Sequence, residues 1–243
     1  ADLHEARLKQ IKRTPMDGKD KQAARERRDE LITTSLTIAS TLFNVACSTK
    51  GRKILLTQER GESRATRYRV LDLLLKFSSG GGGVSGSGMG NESSSSTSTT
   101  QRRHPGEQML SRCAIETVFL LSQCNEGVRL IIESGRVLRT IVDLLAMAGV
   151  DEGDQEDDDP MDDPHMVYMC LAVLYNVSTD TGLHNRRRLC DVPGTIACLI
   201  ARASSAANQT KETNALCSAL LCRLAGDKNM VERLVNAGLF SAL

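Results

Sequence analysis

Tryptophan is absent from this chain of 243 residues, and all aromatics together make up 3% of it. Single-stranded nucleic acid is held on exposed rings, so a base-stacking platform is excluded. A charge imbalance is missing too. Thirty-one Lys and Arg stand against thirty Asp and Glu, a formal charge of +1. No global field therefore draws the chain to nucleic acid or to an anionic membrane. No apolar run reaches the roughly 18 residues of a membrane span. The four histidines, His4, His104, His165 and His184, have no metal-ligand spacing to cysteine or carboxylate partners. The glycine run at 80–83 is followed by no Gly-Lys-Ser/Thr and preceded by no strand, so it is no phosphate loop. Nucleophile-elbow, dinucleotide and kinase signatures are likewise missing. From these absences we expect no catalytic residue, no cofactor, no metal and no small-molecule substrate.

What is present is helical. Hydrophobic residues make up 40% and charged residues 25%, enough to bury a core. Eight cysteines stand at 47, 113, 124, 170, 190, 198, 217 and 222, with no Cys-x-x-Cys pair. Most lie on apolar stretches and read as reduced thiols packed as small hydrophobes. Such thiols imply a reducing, cytoplasmic compartment. Apolar residues recur three and four apart, as in Val137, Leu138, Ile141, Val142, Leu144, Leu145 and Met147, and strict alternation is nowhere sustained. The fold class is all-α.

The chain also repeats itself. Four apolar helices end alike: "ASTLFNVAC" (39–47), "AIETVFLLS" (114–122), "CLAVLYNVS" (170–178) and "LCSALLCRL" (216–224). Each is followed by a short helix closing on Gly61, Gly135, Gly194 or Gly238, where a left-handed stop costs a glycine least. A further apolar helix follows each glycine, truncated to "LFSAL" in the last case. Asn44, Leu120, Asn176 and Arg223 hold the matching place, at intervals of 76, 56 and 47. Two inserts lengthen the first two intervals, a Gly/Ser-rich one at 78–106 and an acidic one at 150–165. Without them the intervals become 47, 40 and 47, the period of armadillo and HEAT repeats.

The order of elements resembles the armadillo repeat. "TLFNVAC" and "VLYNVST" look like that family's third-helix ending, "IIESG" and "LVNAG" like its turn. HEAT repeats share the period and stay open as the subtype. The resemblance implies a right-handed α-solenoid of about four repeats, at approximately 31–77, 107–149, 166–205 and 212–243. Residues 1–30 would form a charged helical cap on the repeat domain 31–243. Third helices would line a concave groove that takes a protein partner's segment. The family's peptide binders use the third-helix Asn on the partner's backbone, a place held here by Asn44 and Asn176, whereas Leu120 and Arg223 depart from it. The alternative for these amides is a nearby backbone carbonyl at a helix end. Where importin-α-like members carry Trp, this chain has Ser40, Glu116, Ala172 and Ala219, so recognition of nuclear-import signals is not expected.

The expected partner-binding residues are Asn44, Asn176 and Arg223, with Arg186, Arg187 and Arg188 as a second patch. The triple Arg reads first as solvated, and second as a dock for an acidic or phosphorylated partner, because guanidinium forks match those groups. The acidic insert holds nine carboxylates between Asp151 and Asp163, but the sixth loop residue of each candidate register is Glu156, Asp159 or Asp162. A calcium loop needs Gly there. The insert reads as a solvated loop, or as a contact for a basic partner or the triple Arg. The sequence opens on Ala1 and reads as a segment of a larger protein. Its expected role is a non-catalytic interaction scaffold. The alternatives are a permanent segment of a cytoskeletal or ciliary assembly, or an adaptor of the transport-receptor or chaperone-cofactor kind.

Overall fold

A computed structural model describes residues 18–56, 69–78, 105–147, 163–179, 183–204 and 210–239, and among them the secondary structure is helical with no strand. Four long helices, α1 (Gly18–Ala46), α4 (Pro105–Ser122), α7 (Pro164–Thr179) and α10 (Lys211–Ala225), alternate with shorter ones. After each comes a short helix: α2 (Thr49–Leu56), α5 (Asn125–Ser134), α8 (Leu183–Asp191) and α11 (Lys228–Asn236). Connecting helices α3 (Arg69–Ser78), α6 (Arg136–Met147) and α9 (Thr195–Ser204) complete three of the four modules.

Packing follows the same order. α1 lies chiefly on α4, α4 on α7, and α7 on α10, while α3, α6 and α9 touch in succession beside them. Burial records each helix's place in the row. Among the described residues α1 has neighbours on one side, and its buried residues are Ile32, Ala39 and Ala46, a stripe of one residue per two turns. α7 has long helices on two sides and buries Val167, Cys170, Leu171, Ala172, Val173, Leu174, Val177 and Ser178. Each fully buried Leu removes enough apolar surface from water to contribute about 2 kcal/mol. Polar links tie the helices further. Ser111 Oγ lies 3.2 Å from the Phe77 carbonyl and 3.1 Å from that of Ser78, and Arg202 Nη2 donates to the Leu145 carbonyl at 2.8 Å.

The corners between long and short helices are tight for a covalent reason. A Cβ on Gly127 would lie 1.9 Å from the Leu121 carbonyl oxygen. Only glycine lets α5 cross the end of α4 at that distance. The stops of the short helices use glycine differently: Gly135, Gly194 and Gly238 all have positive φ.

α1 runs unbroken across residue 30, and residues 1–17 lie outside the described residues. Two prolines assigned to the inserts begin helices instead, Pro105 on α4 and Pro164 on α7. At a first helical position the missing N–H costs nothing and the fixed φ is already helical. Asp163, the last carboxylate of the acidic run, caps α7 by accepting from the His165 N–H at 2.9 Å. The rest of both inserts, 79–104 and 150–162, and Gly61 lie outside the described residues.

Candidate interaction surface

The place shared by Asn44, Leu120, Asn176 and Arg223 falls in the last turns of α1, α4, α7 and α10. Asn44 is exposed. Asn176 is half-buried, and its Nδ2 donates to Ser122 Oγ of α4 at 2.9 Å. Its partner is therefore a hydroxyl on the neighbouring long helix and not a carbonyl at its own helix end. Beside it opens a cavity of about 290 Å³ lined by Ser122, Gln123, Cys124, Asn125, Val128, Asn176 and Thr179. Arg223 leans back on the preceding module: its Nη2 donates to Tyr175 Oη at 3.1 Å, and its guanidinium carbon lies 4.5 Å from the ring centroid. Cation–π contacts of this kind add about 1 kcal/mol at partly exposed sites.

The three arginines of α8 do three different things. Arg186 Nε donates to the Ser178 carbonyl at 3.3 Å, and its Nη1 reaches the Arg223 carbonyl at 3.5 Å. It thereby sets a cation at the C-terminal ends of α7 and α10, where the helix dipole favours positive charge. Arg52 repeats the device on α1, donating to the Ala46 carbonyl at 2.9 Å. Ser178 and Ala46 stand two residues after Asn176 and Asn44, so both caps occupy one module position. Arg187 Nε pairs with Asp227 Oδ2 at 3.0 Å. Arg188 is exposed and makes no ion pair among the described residues. Of the second patch, then, helix ends and an N-cap on neighbouring elements recruit Arg186 and Arg187, although Arg187, like Arg188, stays exposed.

Asp227 is 5% exposed and N-caps α11, its Oδ1 accepting from the Asn229 N–H at 3.0 Å. That backbone hydrogen bond, then Arg187, holds its carboxyl below the usual carboxylate range. A carboxyl depressed by folding stabilises above its unfolded value and loses that contribution as pH falls through the folded one. Asp227→Asn keeps the cap acceptor and removes the charge. The melting-temperature gap between parent and Asp227→Asn should be full above the ordinary carboxylate range and narrow as pH falls through and below it, a trend that calorimetry across acid pH reads directly.

A polar cluster not anticipated from sequence joins α4 to α7. His165 Nε2 lies 2.9 Å from Glu116 Oε1, Arg112 Nε donates to the same oxygen at 3.1 Å, and Arg112 Nη1 lies 3.7 Å from Asp163 Oδ2. Asp-Pro just before an apolar run was the available signal, an N-cap followed by a first-turn proline. On α1, Arg28 Nη2 pairs with the buried Glu107 at 2.7 Å.

The cysteines are free thiols among the described residues: Cys170, Cys190 and Cys217 buried, Cys113, Cys124 and Cys198 half-buried, Cys47 and Cys222 exposed. Burial is the chief cause pushing Cys170 up to about 12 and Cys190 and Cys217 up to about 11. Burial raises Cys113 and Cys198 as well. Thiolate is the reactive form, so maleimide at pH about 8 should label Cys47 and Cys222 first and the three buried thiols only after unfolding, as mass spectrometry of timed samples would read. Among the described residues no group of three or more His, Cys, Asp and Glu is placed to hold a metal ion. Among the described residues no single helix is long and apolar enough to cross a membrane.

Compared with known proteins, the chain matches no protein-family model, no curated protein and no solved structure.

Proposed function

We propose that the chain is a non-catalytic protein-interaction scaffold, an armadillo-like right-handed α-solenoid whose long-helix face takes a partner's segment in a reducing intracellular compartment. The observation that carries this reading is the module register. Four long helices pack in sequence order, each followed by a short helix, and their last turns carry Asn44, Leu120, Asn176 and Arg223 at one place. A row of stacked modules makes a long continuous surface, which suits an extended partner. Asn176 and Arg223 position neighbouring modules, so the contact residues of the row are its exposed groups, Asn44, Gln123 and Thr179 with the cavity between α4 and α7.

A permanent structural role in a large assembly is the second reading. Leu31 and Ile38, 67% and 41% exposed on α1, favour it, because exposed apolar groups at one end of a row invite a lasting neighbour. A capture experiment from native extract tests the long-helix face. Asn44→Arg with Gln123→Arg should release the partner, whereas Val231→Arg with Val235→Arg on α11 should keep it, circular dichroism confirming that both variants fold. Retention by the first variant and loss by the second would overturn the assignment to the long-helix face.

A further inference from the structure

One strip of α1 breaks the burial pattern of the long helices. Ten, six and three residues before the shared place, α4 carries Leu110, Ala114 and Thr117, exposed by 3%, 0% and 0%. The same places on α10 are Thr213, Cys217 and Leu220, at 2%, 0% and 0%. On α7, Cys170 and Val173 are buried in turn. On α1 they are Thr34, Ile38 and Thr41, all exposed. In the later modules this side meets the connecting helix of the preceding module. Ser111 of α4 bonds to the last carbonyls of α3, and Cys217 Sγ donates to the Leu199 carbonyl of α9 at 3.4 Å.

The chemistry of the strip is that of a face to be covered. Thr41 Oγ1 donates to the Thr37 carbonyl at 2.8 Å, and its counterpart Thr117 donates to the Cys113 carbonyl at 2.7 Å. The second of these bonds is partly buried and the first is open to water. The Thr37 and Thr41 hydroxyls already have their partners on α1, so covering the strip strands neither of these donors. Leu31, Ile38 and Val45 lie seven apart on the same face, with threonines between them. Large and small side chains therefore alternate along it.

We infer that the strip from Leu31 to Val45 is a docking site for a short amphipathic α-helix of a protein partner. The chain itself displays what fits there: α3, α6 and α9 are 10, 12 and 10 residues long, three turns with an apolar stripe. α6 buries Val137, Leu138, Ile141, Val142, Leu144 and Leu145 and turns Arg136, Arg139 and Asp143 outward. A partner helix of that pattern would lay its apolar stripe along the strip. The inference rests on the module register and not on the Asn44 row.

The probe is a side-chain-stapled, end-capped peptide of the α6 sequence, RVLRTIVDLLAM, titrated to about 1 mM into the isotope-labelled chain while amide resonances are followed. Saturable shifts should cluster at residues 31–45, a scrambled peptide should give none, and Ile38→Glu should weaken binding by about tenfold or more, since a charge would be buried unpaired. Ile38 is exposed, so the variant keeps its fold, and Thr41→Glu gives an independent second reading. Absence of shifts, equal shifts from the scrambled peptide, or shifts centred elsewhere would overturn the assignment. So would a dimer of the chain alone that Ile38→Glu dissolves, which would make a second copy the occupant. None of these outcomes touches the capture experiment above, so the two readings can fail separately.

Discussion

Gly127→Ala should destabilise the protein by about 3 kcal/mol, at the upper end for an overpacked site. The added methyl would meet backbone and not a yielding side chain: 1.9 Å to the Leu121 carbonyl oxygen and 2.7 Å to its carbon. Relief requires α5 to move off the end of α4, which unseats Val128, Ile131 and Ile132 from the core. Gly135→Ala, eight residues on, is the comparison. Nothing lies within 4 Å of its would-be Cβ, and φ is 57°, so the expected loss is the left-handed penalty of about 1 kcal/mol. Urea unfolding of the two variants separates close approach from backbone preference. Equal losses would mean that the corner is looser than its geometry.

Leu171→Ala is the second large effect, about 3 kcal/mol and a fall in melting temperature of roughly 10 °C. Leu171 is 0% exposed in α7. Counted from the shared place it matches Ala39 and Ile115, which are 0% and 1% exposed, and Ser218, which is exposed on α10. Three modules bury this position and the fourth does not, as a row with α10 at one end requires. Ser218→Ala should therefore change stability by less than about 0.5 kcal/mol. A large loss from Ser218→Ala would place another element over α10 and break the register.

The helices themselves could be read from the sequence. Residues 136–148 were marked by apolar spacing alone, and α6 spans Arg136–Met147. Amphipathic periodicity is a local property, and each helix here buries one stripe. Helix starts were harder. Pro105 and Pro164 sit beside low-complexity runs, and composition drew them into the inserts although both begin helices. Side-chain partners were not legible at all. Asn176 finds Ser122 54 residues away, His165 finds Glu116 49 away, and Arg187 finds Asp227 40 away. Such pairs follow from module stacking, which sets residues about one module apart in sequence side by side. A run of three arginines shows charge but not which neighbouring helix end will claim each one. Leu120 and Arg223 fall in the last turns of α4 and α10 as Asn44 and Asn176 do in those of α1 and α7, because spacing survives where the residue type does not.

The central claim is an open row of modules in which α1 and α10 lie at opposite ends. Spin labels on the two exposed native thiols, Cys47 and Cys222, test it most directly by pulsed dipolar spectroscopy. Three interhelical spacings of about 8–10 Å separate the end helices of such a row, so the account predicts one narrow distance distribution near 30 Å. A distance near 10 Å would put α1 against α10, as in a closed four-helix bundle. That result would contradict the row, and with it the surface assigned to the partner.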